Sequence, residues 1–193
     1  MKKTKLQIGI YNFPPGLADL ITPVSIYLKV RDQYPNAILL ESSDYQGSKN
    51  SMTYICFDVI SNFRLIDGKV NILHRDKSED IIDIHDSVSV PDILDTYINS
   101  FQLSRNDTSG FMPANGLFGY TSYDAVQYFE SIRFQRATEV DDRIPEMNYS
   151  VYRFIIAIDH FSKQVYLLEN LPEGEESKEN EVKSLLYNRA LGT

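Results

Sequence analysis

The sequence predicts an α+β fold, mostly antiparallel strands joined by hairpins with a few helices packed on them. Two hairpin signals and two separated helix starts predict it. Asp67-Gly68 stands between the apolar runs 62–66 and 69–73, a strong type I′ hairpin signal. Residues 149–159 and 165–168 flank the turn His160-Phe161-Ser162-Lys163, which predicts a second hairpin. Helix starts stand at Thr22-Pro23 and at Ser89-Val90-Pro91-Asp92, and the strands between and after them are joined by hairpins rather than by regular βαβ alternation.

Taken in order, the first sixteen residues carry two early lysines and a short, interrupted apolar stretch. No window approaches the roughly 20 apolar residues of a membrane span, so neither an export signal nor a membrane segment is predicted. The helix from Thr22-Pro23 repeats Val24, Tyr27, Leu28 and Tyr34 at helical spacing and is expected to end at Pro35. Ala37-Ile38-Leu39-Leu40 predicts a short buried strand that delivers Glu41-Ser42 at its end, and 43–51 a polar loop. Residues 52–59, 62–66 and 69–73 then predict a β-meander. The acidic segment 78–89 predicts solvated chain, and the helix after it places Ile93, Leu94, Tyr97, Ile98 and Phe101 on one face for packing on the sheet.

The turn-rich stretch 102–115 predicts a long mobile loop. GLFGYTSYDAVQYFE (116–130) predicts a strand ending near Tyr120 and a short helix from about Ser122. A second loop is expected at 137–147. The tail from Glu173 is charge-rich, but Val182, Leu185 and Leu186 predict a terminal helix with one sticky apolar stripe, which Gly192 could cap. No solenoid repeat or low-complexity tract occurs.

Composition bounds the function. A chain of 193 residues with 42% hydrophobic residues, 10 Phe and 13 Tyr can bury a core without staples. Its net charge of -8 and absence of a basic run argue against a nucleic-acid partner. Cys56 is the single cysteine, which excludes an internal disulfide and suits a reducing cytoplasm. The glycosylation-type matches at Asn106 and Asn148 are expected to be chance.

Catalytic constellations are absent: there is no Gly-rich phosphate loop, no G-x-S-x-G and no H-E-x-x-H. His74, His85 and His160 lie on separate strand ends or loops and read as surface histidines rather than metal ligands. The acidic clusters 79–86 and 173–181 lack the spacing of a calcium loop and read as solvated charge. Cys56, inside an apolar strand, reads as a small hydrophobe.

TPVSIYLKV (22–30), ILLESSD (38–44) and GLFGYTSYDAVQYFE (116–130), in that order and separation, resemble the amino-terminal region of anthranilate synthase component I. The resemblance spans the chain and is weakest over 70–115. It implies that residues 1–193 are the amino-terminal domain of that fold, with the chorismate-binding catalytic domain absent. The family's conserved histidine, acidic metal ligands and G-A-P-K-type segment have no counterpart here, so the resemblance implies a part inactive by itself. The whole enzyme would use Mg2+ and a glutaminase subunit, component II, to turn chorismate into anthranilate and pyruvate in tryptophan biosynthesis.

The resemblance also implies a share of the site for feedback inhibition by L-tryptophan. Its residues would be Leu40, Glu41 and Ser42 of the LLES segment, with Asn50 and Ser51 opposite. A carboxylate at a strand end suits an amino acid's ammonium; the basic residue that relatives often carry near position 50 is here Asn50, beside Lys49. Tyr120, Tyr123, Asp124 and Phe129 are expected to build core or an interdomain interface. The homologous aminodeoxychorismate synthase component I, of folate synthesis, is the nearest alternative; a stand-alone ligand-binding module is the alternative from another class.

Overall fold

The computed structural model describes residues 1–41, 51–85, 87–105, 113–132 and 144–187. The elements are β1 (Thr4–Asn12), α1 (Leu17–Leu20), α2 (Pro23–Arg31), β2 (Ile38–Glu41), β3 (Met52–Ile66), β4 (Lys69–Leu73), β5 (Glu79–Asp83), α3 (Val90–Ile98), β6 (Phe101–Arg105), β7 (Phe118–Thr121), a 3-10 turn (Tyr123–Tyr128), β8 (Met147–Asp159), β9 (Gln164–Pro172) and α4 (Glu179–Tyr187). The α+β reading holds, and the strand pairs described, β1–β9, β2–β3, β3–β4, β4–β5, β7–β8 and β8–β9, are all antiparallel. The chain divides into two compact units, one of 1–4, 59–102 and 117–151, the other of 5–58, 103–116 and 152–193.

In the unit that holds both termini of β9, the sheet order runs β2–β3–β8–β9–β1. Its core gathers Ile55 and Phe57 from β3, Phe154, Ile156 and Ile158 from β8, and Val165 and Leu167 from β9. Helices cover it: Leu17 of α1, Ile26 and Val30 of α2, and Val182 and Leu186 of α4 are all buried in the same cluster. The start of α2 is as read from sequence. Thr22 accepts from the Ser25 N–H at 3.1 Å while Ser25 Oγ receives the Thr22 N–H at 3.1 Å, a reciprocal cap, with Pro23 in the first turn.

In the other unit, β3, β4 and β5 form the meander, and Phe63, Leu65, Val70 and Ile72 pack with Val90, Ile93 and Tyr97 of α3. Asp67 (φ 54) and Gly68 (φ 72) both take the left-handed conformation that a type I′ turn requires. Gly119 in β7 is a steric necessity: a Cβ there would stand 1.9 Å from the Asn148 carbonyl oxygen. Asn62 on β3 donates to Asn148 Oδ1 (2.8 Å), the Tyr149 carbonyl (3.2 Å) and Ser150 Oγ (2.9 Å), a polar tie to β8 inside this unit.

Several expectations are corrected. The two runs 52–59 and 62–66 are one strand, β3, which runs unbroken through Asp58 at φ 60. β2 is not buried, because β3 is its only described partner and Leu40 is 38% exposed. The segment 78–89 contains strand β5, and 102–115 opens with strand β6. α2 ends at Arg31, ahead of Pro35, and the helix after Ser122 is a 3-10 turn. Residues 1–16 carry the unforeseen β1. The α4 stripe is no free sticky face: Val182 and Leu186 are 2% and 0% exposed. Gly192 and 137–143 lie outside the described residues.

Candidate functional site

The candidate site begins at the end of β2. Leu39 lies opposite Ile55, Leu40 opposite Tyr54 and Glu41 opposite Thr53. Alternation puts Glu41 on the side of Leu39, which packs against the helix-covered core, and Glu41 itself is exposed. Ser51, just before β3, is 7% exposed. Leu40, Glu41 and Ser51 are thus gathered around the β2–β3 pair; Ser42 and Asn50 lie outside the described residues.

Beside Glu41, on the neighbouring strand, the sheet carries a polar pair that sequence reasoning missed. Thr53 is 1% exposed, and a buried hydroxyl requires a partner. It finds His160 Nε2 at 2.7 Å, and the His160 N–H donates to the Ser51 carbonyl at 3.1 Å. His160 begins the β8–β9 turn, which Asp159 closes by accepting from the N–H groups of Phe161 (2.9 Å) and Ser162 (3.1 Å) and from Ser162 Oγ (2.7 Å). Partial burial pushes the Asp159 carboxyl up, but these hydrogen bonds outweigh it and hold the group below its ordinary value. No local pattern ties His160 to position 53, since the contact exists only because β3 and β8 are neighbours.

A second charged cluster lies at the start of α4. Arg153 and Glu169 are each 1% exposed. Arg153 donates to Glu169 Oε1 from Nε (3.0 Å) and Nη2 (2.9 Å), to Glu175 Oε2 from Nη1 (2.6 Å), and to the Glu176 carbonyl. Glu169 also accepts from Ser177 Oγ (2.5 Å) and the Lys178 N–H (3.1 Å). Every charge here is answered from within the chain, so the cluster anchors 173–178 rather than offering groups to a ligand.

The remaining candidates stay apart. His74 pairs with Asp80 at 3.0 Å and His85 with Ser87 at 2.9 Å. Among the described residues no three His, Cys, Asp or Glu side chains converge on a cation position. Cys56 is fully buried, and desolvation pushes its thiol far up. Tyr123 is 81% exposed and Phe129 and Tyr120 are partly exposed, so these aromatics are not core. No helix among the described residues is long and apolar enough to cross a membrane.

Comparison with known proteins adds the following. A family model described as "chorismate binding enzyme" matches residues 35–189. Anthranilate synthase component 1 of Thermus thermophilus is 26% identical over 165 residues, 84% of this chain and 32% of the relative. Anthranilate synthase component 1 of Pseudomonas putida is 29% identical over 164 residues, 83% of this chain and 31% of the relative. A crystal structure of anthranilate synthase component I from Streptococcus pneumoniae TIGR4 aligns with a TM-score of 0.48 and 20% identity over 86% of this chain and 33% of that one. The chain spans about a third of the length of the curated relatives it matches.

Proposed function

The chain belongs to the chorismate binding enzyme family, and from that premise we propose that it is the amino-terminal, structural and regulatory part of an anthranilate synthase component I. Two relatives named as component 1 of that enzyme align with more than four fifths of it, and the name implies a second component as partner. In this reading the chorismate-binding catalytic domain lies in the further two thirds of the protein. A glutaminase subunit supplies the ammonia, and anthranilate and pyruvate leave. No catalytic step is assigned to the described residues in this reading.

The regulatory share rests on one observation: an edge strand of sequence LLE ends in an exposed carboxylate, Glu41, with no hydrogen-bond or ion-pair partner among the described residues. A carboxylate held on a sheet and open to ligand accepts an ammonium in a charge-assisted hydrogen bond. L-tryptophan bound there inhibits by binding one arrangement of the enzyme more tightly than another; a coupling of about 1–3 kcal/mol corresponds to roughly 5–150-fold in affinity.

Calorimetric titration of the full-length enzyme and its Glu41→Ala variant with L-tryptophan, beside inhibition of anthranilate formation, tests this. Binding and inhibition are expected in the parent and lost together in the variant. Unchanged inhibition in Glu41→Ala would remove the regulatory role from this strand end. Inhibition by no concentration of tryptophan would favour the folate-pathway relative.

A further inference from the structure

The site as drawn answers a ligand's ammonium but not its carboxylate. Resting on the reading of Glu41 as an amino-acid site, we infer that His160 supplies the donor for that carboxylate. His160 is exposed as a residue, yet its Nε2 is fixed at 2.7 Å from the buried Thr53 hydroxyl and its backbone N–H is bound to Ser51. One ring nitrogen is therefore anchored, and Nδ1 is the one left to face solvent. When Thr53 O–H donates to Nε2, the neutral ring carries its proton on Nδ1, and the protonated ring carries one there as well.

The placement suits an α-amino acid. Thr53 lies directly opposite Glu41, and β3 has β2 on one side and β8, which leads into His160, on the other. Two strand spacings across the sheet, combined with the two-residue step into β3 from Ser51, which holds the His160 N–H, to Thr53, which faces Glu41, put the two backbones roughly 12 Å apart. Two side chains leaning inward, each adding a hydrogen bond of about 2.8 Å, leave room for one ammonium and one carboxylate borne by the same α-carbon. Glu41, Thr53 and His160 form a row with acceptor and donor at its ends. The cation next along the turn, Lys163, is already taken by Asp19 at 3.0 Å.

The arrangement is testable on this chain by following amide resonances during titration with L-tryptophan, tryptamine, which lacks the carboxylate, and indole-3-propionate, which lacks the ammonium. His160→Gln keeps an amide that can reach Thr53 but removes the Nδ1 donor. It is expected to weaken L-tryptophan about tenfold, the scale of one charge-assisted hydrogen bond, and to leave tryptamine unchanged. His160→Asn, whose amide nitrogen falls near Nδ1, is expected to keep most of the L-tryptophan affinity. Thr53→Val, which frees the ring, should weaken L-tryptophan less than His160→Gln does and spare tryptamine, and it decides the matter should His160→Gln not fold. Glu41→Gln is expected to weaken both L-tryptophan and tryptamine. His160→Gln binding L-tryptophan as the parent does, or weakening tryptamine equally, overturns the role of His160 while the Glu41 site stands. If neither L-tryptophan nor tryptamine perturbs residues 39–41 and 53 in the parent, the Glu41 reading and this inference fall together.

Discussion

The two acidic stretches, 79–86 and 173–181, carry carboxylates at a similar density, and both read from sequence as solvated charge, yet the structure uses them differently. In the first, Glu79–Asp83 becomes strand β5, whose alternation leaves Glu79, Ile81 and Asp83 outward and half-buries Asp80 and Ile82. Its ion pairs are peripheral: Lys69 and Asp83, 3.2 Å apart, are 53% and 71% exposed. In the second, the chain folds over Arg153, and Glu175 and the Glu176 carbonyl turn inward to a guanidinium that is 1% exposed. The difference lies in what the neighbouring strand presents. A buried arginine draws an acidic segment in, because an unanswered charge in the interior costs several kcal/mol, whereas a surface lysine exerts little pull.

The largest effect expected from this contrast is that of Arg153→Met. It leaves Glu169 as a buried carboxylate without its cation, and urea unfolding is expected to show a loss of about 3–5 kcal/mol. Adding Glu169→Leu should recover roughly half of the loss. Recovery is incomplete because Ser177 and the Lys178 N–H lose their acceptor. A loss below about 1 kcal/mol for Arg153→Met would place this network on the same footing as the surface pairs.

Next in size is Leu186→Ala in the helix that follows the second stretch. Leu186 is 0% exposed, and the truncation is expected to cost about 2–4 kcal/mol. Ile81→Ala in the first stretch, at a residue 60% exposed, should cost less than about 0.5 kcal/mol. Chemical-denaturation midpoints of the pair check whether it is burial, and not proximity to acidic residues, that separates them.

Legibility in the sequence followed the range of the physics. Turns and caps governed by one or two residues were read correctly: Asp67-Gly68, Thr22-Pro23 and Ser89-Val90-Pro91 act through their own backbone preferences. The hairpin β8–β9 was legible for the same reason. What escaped depends on distant partners. β5 reads as polar because it is an edge strand that needs apolar residues on one side only, and β1, whose apolar residues are interrupted by Gln7 and Gly9, is fixed as a strand by β9, which pairs with residues 6–12. At the candidate site, Leu40, Glu41 and Ser51 came from the resemblance, while Thr53 and His160 are joined by strand neighbours 107 positions apart. Arg153 offered no signal, since a lone arginine in an apolar strand says nothing of the carboxylates that will meet it.

Asp83→Asn should change stability by less than about 1 kcal/mol, as expected of an exposed pair. The smallest effect lies just before the first stretch, at Asp76. Its carboxylate meets Lys2 Nζ at 2.8 Å and receives the Ser78 Oγ (2.5 Å) and N–H (3.1 Å). The Lys2 hydrogen bond first, then those from Ser78, hold the carboxyl well below its ordinary range. A depressed folded pKa means that the group's contribution is complete above the unfolded value, near 4, and is lost as the pH falls toward the folded one. Because the site is exposed, the contribution is screened by salt. An NMR titration of the Asp76 carboxyl in Lys2→Ala is expected to move its midpoint upward at low ionic strength and to differ less from the parent as salt is added. A midpoint unmoved by the substitution would show that Ser78 alone accounts for the depression, and that even this short surface ion pair contributes nothing measurable beside the buried one at Arg153.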